Sequence, residues 1–266
     1  MLSIVVPVYN SSETITSCLQ SLVDQDGVSF DMEIIIVNDG STDESSKLIH
    51  DFISKHESVE FTYIEKENGG VSSARNCGVE NSKYKWIAFI DSDDVWRTDK
   101  LKKQFETINN SKFNIDFLGC ARNNETLSIF GNKVLCLHKA SVNQLLVRMF
   151  PQTSTALVKK AIFDKVGGYD ESFTHAEDGD LWVRICNVAD FYYMPDSLVT
   201  TGGGKCSFGE SGLSANLSSM LLGNRRILSK QLKHGNINVG FYSLMLAYYQ
   251  LKHVRRQVIT MKNKLL

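Results

Sequence analysis

The chain has 266 residues, of which 42% are hydrophobic and 22% are charged, an ordinary composition for a soluble globular protein. This length fits one sizeable domain, or one domain with an appendage. All apolar runs are shorter than the roughly 20 residues that span a bilayer, which excludes a transmembrane helix. The first ten residues, MLSIVVPVYN, predict a strand, and we expect no signal peptide.

The charge is unevenly distributed, although the formal net charge is only −1. Residues 1–210 carry all 30 acidic residues and 20 of the 29 basic ones, whereas residues 211–266 carry nine basic residues and no acidic one. A basic tail behind an acidic body indicates that the tail contacts something anionic.

The cysteines predict a reducing compartment. They show no CxxC pair and no spacing typical of a zinc site. Reduced, mostly buried thiols are typical of cytosolic proteins, so we expect a cytoplasmic location. The six cysteines are Cys18, Cys77, Cys120, Cys136, Cys186 and Cys206.

The first part of the chain alternates predicted strands with predicted helices. Short apolar runs predict strands at 2–8, 33–37, 59–64 and 86–90. Helices are predicted near 12–25, from after Asp43 to about His56, near 71–81 and near 98–109. This alternation indicates an α/β fold with a doubly wound, mostly parallel sheet, in which ligands bind at the carboxyl ends of the strands.

The second part of the chain has a less regular pattern. A strand near 115–120 is followed by residues 124–138, whose alternation around Gly131-Asn132 predicts a small β-hairpin. The remaining predictions are strands at 153–158 and 191–200, a helix at 177–188, a flexible glycine-rich loop at 202–212, and helices near 215–234 and 238–264.

The strand at 86–90 ends in Asp91, Ser92, Asp93 and Asp94. Alternate residues of a strand face the same side, so we expect Asp91 and Asp93 to direct two carboxylates at one point. Such acids repel one another unless a cation or solvent lies among them. Mg²⁺ and Mn²⁺ prefer oxygen ligands, which they often share with a substrate phosphate. The alternative is a solvated turn in which Asp94 caps the next helix.

Four segments occur together in one order: SIVVPVYN, EIIIVNDGSTD, GGVSSARNCGV followed by FIDSDD, and GGYDESFTHAEDGDLW. Their joint pattern resembles the family 2 glycosyltransferases, which have the GT-A fold. The resemblance spans roughly residues 2–200. It implies an inverting, metal-dependent transferase of the bacterial surface-glycan type, which moves a sugar from a nucleotide-sugar to a hydroxyl group.

The resemblance also implies which residues bind the nucleotide-sugar. Tyr9 would lie against the base, and Asp39 would accept a hydrogen bond from a ring N–H. Plainer interpretations are a half-buried packing role for Tyr9, a turn for Asp39 and a surface ion pair for Arg75. The implied nucleotide-sugar-binding residues are Pro7, Val8, Tyr9, Asp39, Arg75, Asp91, Ser92 and Asp93.

The family's DxD and ED motifs correspond to two pairs of acids in this chain. Asp93 and Asp91 would hold Mn²⁺ or Mg²⁺ at the diphosphate of the donor. Asp178 is the implied base that removes the acceptor's proton, with Glu177 in reserve. The plainer interpretation of Glu177 and Asp178 is that acids suit the first turn of a helix because of its dipole.

The chain departs from the family after the last predicted strand. Many members have there a basic, histidine-bearing loop that closes over the diphosphate. Here the segment reads TTGGGKCSFGESGLS, with no histidine and one basic residue. Lys205, Ser207 and Ser211 are candidates for contact with phosphate when this loop closes.

Three functions are compatible with these motifs. The favoured one is a glycosyltransferase in polysaccharide or lipopolysaccharide synthesis, with a UDP-sugar as donor and a saccharide or lipid-linked saccharide as acceptor. The alternatives are a nucleotidyltransferase that makes nucleotide-sugars and a catalytically silent scaffold of glycan assembly. We expect no nucleic-acid partner.

The predicted domains are a GT-A catalytic domain at 1–212 and a basic helical appendage at 213–266. Residues 1–110 would bind the nucleotide and residues 111–212 the acceptor. The last helix has an apolar stripe with basic flanks, which suits either an anionic membrane surface or packing on the catalytic domain. Contact with the inner leaflet is slightly favoured. The stripe consists of Leu244, Met245, Tyr248, Leu251, Val254 and Val258.

Overall fold

The structure is a computed structural model that describes residues 1–204 and 216–265, with side chains as far as residue 261. Lys205, Ser207 and Ser211, the loop candidates for phosphate contact, lie outside the described residues. The described chain forms a nine-stranded mixed sheet between two layers of helices, and a separate two-stranded hairpin.

The N-terminal part has the alternation that the sequence predicts. Its elements are β1 (Leu2–Val8), α1 (Ile15–Val23), β2 (Met32–Asn38), α2 (Ser45–Ile53), β3 (Glu60–Glu65), α3 (Val71–Glu80) and β4 (Trp86–Phe89). β1 pairs in parallel with β2 and β4, and β2 pairs in parallel with β3. Every residue of β1 is buried, as expected for a central strand that is covered on both faces.

The following part extends the sheet with strands of both directions. Its elements are β5 (Val95–Trp96), α4 (Lys100–Asn110), β6 (Phe117–Arg122), β7 (Ser128–Ile129), β8 (Asn132–Lys133), β9 (His138–Lys139), α5 (Val142–Val147), β10 (Leu157–Lys159), α6 (Lys160–Lys165), α7 (Glu177–Val188) and β11 (Phe191–Thr200). β10 runs antiparallel between β4 and β6, whereas β11 runs parallel to β6. The α/β class is confirmed, and β7 and β8 form the predicted hairpin.

Two helices end the chain and pack on its body. They are α8 (Leu217–Lys233) and α9 (Val239–Leu265). Ile227 and Leu228 of α8 and Met245 of α9 are buried in one apolar cluster with Trp182 of α7. Burying an Ile, Leu or Met side chain contributes about 1.5–3 kcal/mol, so this contact holds both helices on the core. In the described ranges no helix is long and apolar enough to cross a membrane.

Close packing of α3 on β1 fixes the helix that lies beside the strand ends. A β carbon at Gly78 would lie 2.4 Å from Val5 Cγ1, so a larger residue would push the helix off the sheet. Arg75 lies one turn earlier in α3. The glycine therefore sets how closely Arg75 approaches the carboxyl end of β4.

Candidate active site

The carboxyl ends of β1, β2 and β4 open into one cleft with a volume of about 1190 Å³. Residues of α7, α8 and α9 also line it. The fold brings the predicted nucleotide-sugar-binding, metal-binding and catalytic residues to this cleft, although they come from five separate segments of the sequence. They are Pro7, Val8, Tyr9, Asp39, Arg75, Asp91, Ser92, Asp93, Glu177 and Asp178.

Arg75 joins the two acidic motifs. Its guanidinium donates one hydrogen bond to Asp91 (Nη2 to Oδ1, 2.6 Å) and one to Glu177 (Nη1 to Oε1, 3.1 Å). Its side chain is only 4% exposed and lies over the ring of Tyr169, 5.1 Å from the ring centroid. Arg75 is therefore a buried cation shared by two carboxylates, and the interpretation as a surface ion pair is wrong.

The acids after β4 lie in a turn, and the strand ends before them. The Asp94 amide donates to the Asp91 carbonyl over 3.0 Å. The expected alternation of side chains does not apply in a turn, and the acids differ in exposure instead. Asp93 is exposed, Asp91 is half-buried and Asp94 is buried. Asp93 is thus the acid of this turn that is most accessible from the cleft.

Asp94 does not cap the next helix, because the N-cap of α4 is Asp99. Asp94 Oδ2 instead accepts hydrogen bonds from Ser154 Oγ and from Gln152 Nε2 (3.1 Å). Its Oδ1 accepts from the Gly202 amide over 2.8 Å. The buried acid therefore fastens the turn to two other segments of the chain.

Gln152 and Ser154 support the acid turn, and the sequence pattern did not identify either of them. Residues 153–155, predicted as strand, form a 3₁₀ turn because the Gln152 side chain caps it by accepting from the Ser154 amide (2.7 Å). Gln152 Nε2 also reaches Asp91 Oδ2 (3.3 Å), and Ser154 Oγ accepts from the Asp91 amide (2.9 Å). These contacts join residues about 60 positions apart, and no local signal reports them.

The repulsion among these acids bears on metal binding. Burial, followed by the charges of Asp91 and Asp93, raises the pKa of Asp94 to about 7. Among the described residues, no three His, Cys, Asp or Glu side chains are grouped so as to hold a metal ion. The turn offers two carboxylates, Asp93 and Asp91. Two such ligands suit Mg²⁺ or Mn²⁺ when phosphate oxygens and water complete the coordination.

Asp39 organises the loop between β3 and α3. Its carboxylate accepts hydrogen bonds from Lys66 Nζ (2.7 Å) and from the amides of Gly69 (3.0 Å) and Gly70 (2.8 Å). A carboxylate has about four acceptor positions, so the contacts within the described part of the chain leave one for a ligand N–H. Tyr9 is 53% exposed, so part of its ring is accessible from the cleft.

α7 begins with two acids in different environments. Glu177 is buried, and Arg75 binds its carboxylate. Asp178 accepts one hydrogen bond within the described part of the chain, from the Gly179 amide (2.7 Å). Burial, followed by the charge of Glu177, raises the pKa of Asp178 to about 7. Asp178 is therefore suited to take up a proton near neutral pH, whereas the Glu177 carboxylate is held in an ion pair with Arg75.

α9 also lines the cleft, which the sequence analysis did not anticipate. Tyr248, Lys252 and Arg256 line its wall. The hydroxyl group of Tyr249 donates to the Leu146 carbonyl over 2.5 Å and ties α9 to α5. The apolar period of α9 predicts a stripe, but only packing decides which face meets the body.

Comparison with known proteins identifies the family. The sequence model of glycosyl transferase family 2 matches residues 3–167, more than half of the chain. The chain belongs to this family. An uncharacterized glycosyltransferase of Rickettsia prowazekii is 29% identical to the chain over 208 residues, which cover 75% of the chain and 63% of that relative.

A second relative is TuaG of Bacillus subtilis, which is described as a proposed glycosyltransferase of teichuronic acid biosynthesis. It is 37% identical over 106 residues, which cover 40% of the chain and 41% of TuaG. The chain thus spans less than two thirds of the length of either relative.

Solved structures confirm the predicted GT-A fold. Staphylococcus aureus TarS 1–349 in complex with UDP-GlcNAc aligns with a TM-score of 0.70 at 20% identity, covering 95% of this chain and 72% of TarS 1–349. The mannosyltransferase PcManGT of Pyrobaculum calidifontis, in complex with GDP-Man and Mn²⁺, aligns with a TM-score of 0.69 at 16% identity, covering 94% and 69%. At these identities the likeness concerns the fold.

We expect Arg75→Met to destabilise the protein by about 3–5 kcal/mol at neutral pH, because Asp91 and Glu177 would lose their common partner. Urea unfolding followed by circular dichroism measures the change. Arg97→Met is the matched control, since Arg97 pairs with Asp99 at the surface and should cost about 1 kcal/mol or less. Equal losses in the two variants would contradict the bridging role.

Proposed function

We propose that the protein is a metal-dependent, inverting glycosyltransferase of cell-surface glycan synthesis. It moves a sugar from a nucleotide-sugar, with a UDP-sugar as the favoured donor, to a hydroxyl group of a glycan or lipid-linked glycan. The observation that carries the proposal is the Arg75 bridge, which holds the acid turn and the ED pair at one cleft. The UDP-GlcNAc bound by TarS and the proposed teichuronic acid role of TuaG support the donor and the pathway class.

On the donor side, the nucleotide lies over the ends of β1 and β2. The exposed ring of Tyr9 stacks on the base, and Pro7 and Val8 form the adjoining wall. Asp39 accepts from the base with the one acceptor position that its loop leaves vacant. The diphosphate then extends toward the acid turn, where Ser92 also lines the cleft.

The acid turn is the proposed metal site. Asp93, with Asp91 beside it, would hold Mn²⁺ or Mg²⁺; the exposure of Asp93 and the crowding of carboxylates support this, as does the Mn²⁺ bound in PcManGT. When bound, such a cation stabilises the negative charge that develops on the departing diphosphate. The hydrogen bonds from Arg75 and Gln152 hold Asp91 in place.

On the acceptor side, Asp178 is the proposed base. The acceptor oxygen forms a bond to the anomeric carbon while the bond from that carbon to the diphosphate breaks. The proton of the acceptor hydroxyl passes to Asp178, and the nucleoside diphosphate leaves with the bonding electrons. Attack opposite the leaving group inverts the anomeric centre. Arg75 holds Glu177 in an ion pair and thereby leaves proton transfer to its neighbour.

Turnover assays distinguish this function from the two alternatives. With radiolabelled UDP-sugars and Mn²⁺, a glycosyltransferase releases UDP and transfers the label to a saccharide or to water. A nucleotidyltransferase releases pyrophosphate from a nucleoside triphosphate and a sugar phosphate. A silent scaffold turns over neither. The intact acids at 91, 93 and 178 favour the first outcome.

We expect Asp93→Ala to abolish turnover and Mn²⁺-dependent UDP binding while the fold stays intact, because the exposed carboxylate is the proposed metal ligand. Isothermal titration with UDP, with and without Mn²⁺, measures the effect, and circular dichroism checks the fold. Asp51→Ala removes an exposed acid from α2 and should leave UDP binding unchanged. Retained Mn²⁺-dependent affinity in Asp93→Ala would exclude the metal role.

For Asp178→Asn we expect transfer to fall by about 10²–10⁴-fold with unchanged UDP affinity, because the amide cannot accept the proton. Since the pKa of Asp178 is raised to about 7, wild-type kcat should rise with pH through that region and then level off. Glu177→Gln should move this rise to lower pH, because it removes the neighbouring charge. Initial rates across pH measure both effects. Lost UDP affinity with normal turnover in Asp178→Asn would contradict the assignment.

We also propose that the outer face of α9 contacts an anionic membrane surface on its cytoplasmic side. Leu244, Leu251, Val254 and Val258 are 48–71% exposed and follow one side of the helix. Met245, which belongs to the same predicted stripe, is buried against the core, so the stripe is divided between two faces. An exposed apolar row with basic neighbours suits a membrane interface, where each basic residue contributes about 1 kcal/mol.

We expect the wild type to sediment with phosphatidylserine vesicles at low salt, and less with phosphatidylcholine vesicles or at high salt. Leu251→Glu/Val258→Glu should abolish sedimentation because it places charge in the apolar row. Gln250→Glu/Gln257→Glu adds the same charge at exposed positions one residue earlier, and this variant should retain most of the wild-type sedimentation. Equal sedimentation of the two variants, or none of the wild type, would contradict membrane contact.

A further inference from the structure

The wall that α5 and α9 contribute to the cleft is cationic. Lys252 and Arg256 lie about one turn apart on α9, and Arg148 directly follows α5. All three line the cleft. The hydrogen bond from Tyr249 to the Leu146 carbonyl joins the two helices near these residues, because Tyr249 precedes Lys252 by less than a turn and Leu146 precedes Arg148 by two residues. We call these three side chains the cationic wall.

The members of the cationic wall lie within electrostatic range of one another. Burial, followed by the charges of Arg256 and Arg148, lowers the pKa of Lys252 to about 8. Within the described ranges, Lys252 and Arg148 form no salt bridge. The Lys252 ammonium lies 5.6 Å from the centroid of the Tyr248 ring. Arg148 Nη1 donates to the Ser128 carbonyl over 3.1 Å.

Two basic residues of α8, Lys230 and Arg226, are in a different situation. Lys230 Nζ lies 2.8 Å from both Asp170 and Asp180, and Arg226 lies 3.6 Å from Asp170. These ion pairs join α8 to acidic residues of the preceding part of the chain. They agree with the alternative expectation that the basic tail packs on the catalytic domain. Lys252 and Arg148 are like charges in a partly buried cleft, and such an arrangement is unfavourable until an anion neutralises it. The cationic wall is therefore suited to an anionic ligand.

We propose that Lys252, Arg148 and Arg256 bind an anionic group, a phosphate or a carboxylate, on the acceptor saccharide. This inference rests on the proposed transferase function and specifies the class of its acceptor. Lys and Arg donate strong, charge-assisted hydrogen bonds to both kinds of anion. The exposed ring of Tyr248, next to Lys252, offers an apolar face to a sugar ring.

The position of the wall favours the acceptor over the diphosphate of the donor. The proposed donor residues come from the ends of β1, β2 and β4 and from α3, whereas the wall comes from α5 and α9. α7, whose second residue is the proposed base Asp178, packs against α5 and α8. The cationic wall therefore belongs to the side of the cleft that holds the base.

The test measures binding of small probes to the full chain saturated with UDP and Mn²⁺. The probes are glucose 1-phosphate, glucuronate and neutral methyl α-glucoside. Saturation-transfer NMR measures how tightly each probe binds. We expect the anionic sugars to bind at least about tenfold more tightly than the neutral one, and Lys252→Gln and Arg148→Gln to remove this preference. Lys233→Gln removes one exposed charge of α8 and should leave the preference for anionic sugars unchanged.

A second arm distinguishes a soluble from a lipid-borne phosphate. Dodecyl phosphate in phosphatidylcholine vesicles replaces glucose 1-phosphate, and co-sedimentation measures its capture. Capture that depends on Lys252 supports a lipid-linked acceptor, whereas a Lys252-dependent preference for the soluble sugar phosphate alone supports a charged soluble glycan. Both results support the proposed anion site.

Three results would overturn the inference. They are equal affinity for anionic and neutral sugars, an anion preference that persists in both Lys252→Gln and Arg148→Gln, and loss of UDP affinity in Lys252→Gln, which would assign the wall to the donor. These outcomes leave the transferase function standing if the wild type binds UDP with Mn²⁺ and turns over a nucleotide-sugar. Failure of that turnover would refute the proposed function itself.

Discussion

The guanidinium of Arg75 lies between Asp91 and Glu177, and the rest of the site is arranged around this contact. An unpaired buried charge costs several kcal/mol, so each of the three groups needs the others. Asp91 follows the parallel strands of the N-terminal part, whereas Glu177 begins α7. One side chain therefore sets the separation of the two acidic motifs, and the close contact of Gly78 with Val5 sets the position of that side chain.

The acid turn shows how one short motif provides different environments for identical side chains. Asp94 is buried and fastened by Ser154, Gln152 and the Gly202 amide, whereas Asp93 is exposed to the cleft. The hydrogen bonds to Asp94 offset part of the cost of burying it. Because this anchor fixes the backbone, Asp93 is presented from a rigid support. Such preorganisation is what the proposed site for a cation and a diphosphate requires.

Most of the regular elements were predictable from the sequence because their hydrophobic periods are strong. α7 and β11 begin and end at the predicted residues, and the four parallel strands match their apolar runs. The arrangement within the site was less predictable. The support of the acid turn by Gln152 and the inward face of α9 both depend on contacts between distant segments. The four family motifs identified which residues gather at the cleft. They did not predict that Asp93 is exposed, Asp91 half-buried and Asp94 buried.

α9 has cleft residues on one face and an exposed apolar row on the other, which restricts how its length can vary. Each residue advances an α-helix by about 100°. Insertion of a single residue near Gly240 would turn Lys252 and Arg256 away from the cleft and rotate the apolar row toward the body. An insertion of about seven residues, close to two turns, would restore the directions of both faces but would move the later residues about 10 Å along the helix axis. Single-residue changes in length are therefore tolerable only beyond Val258, toward the end of the helix.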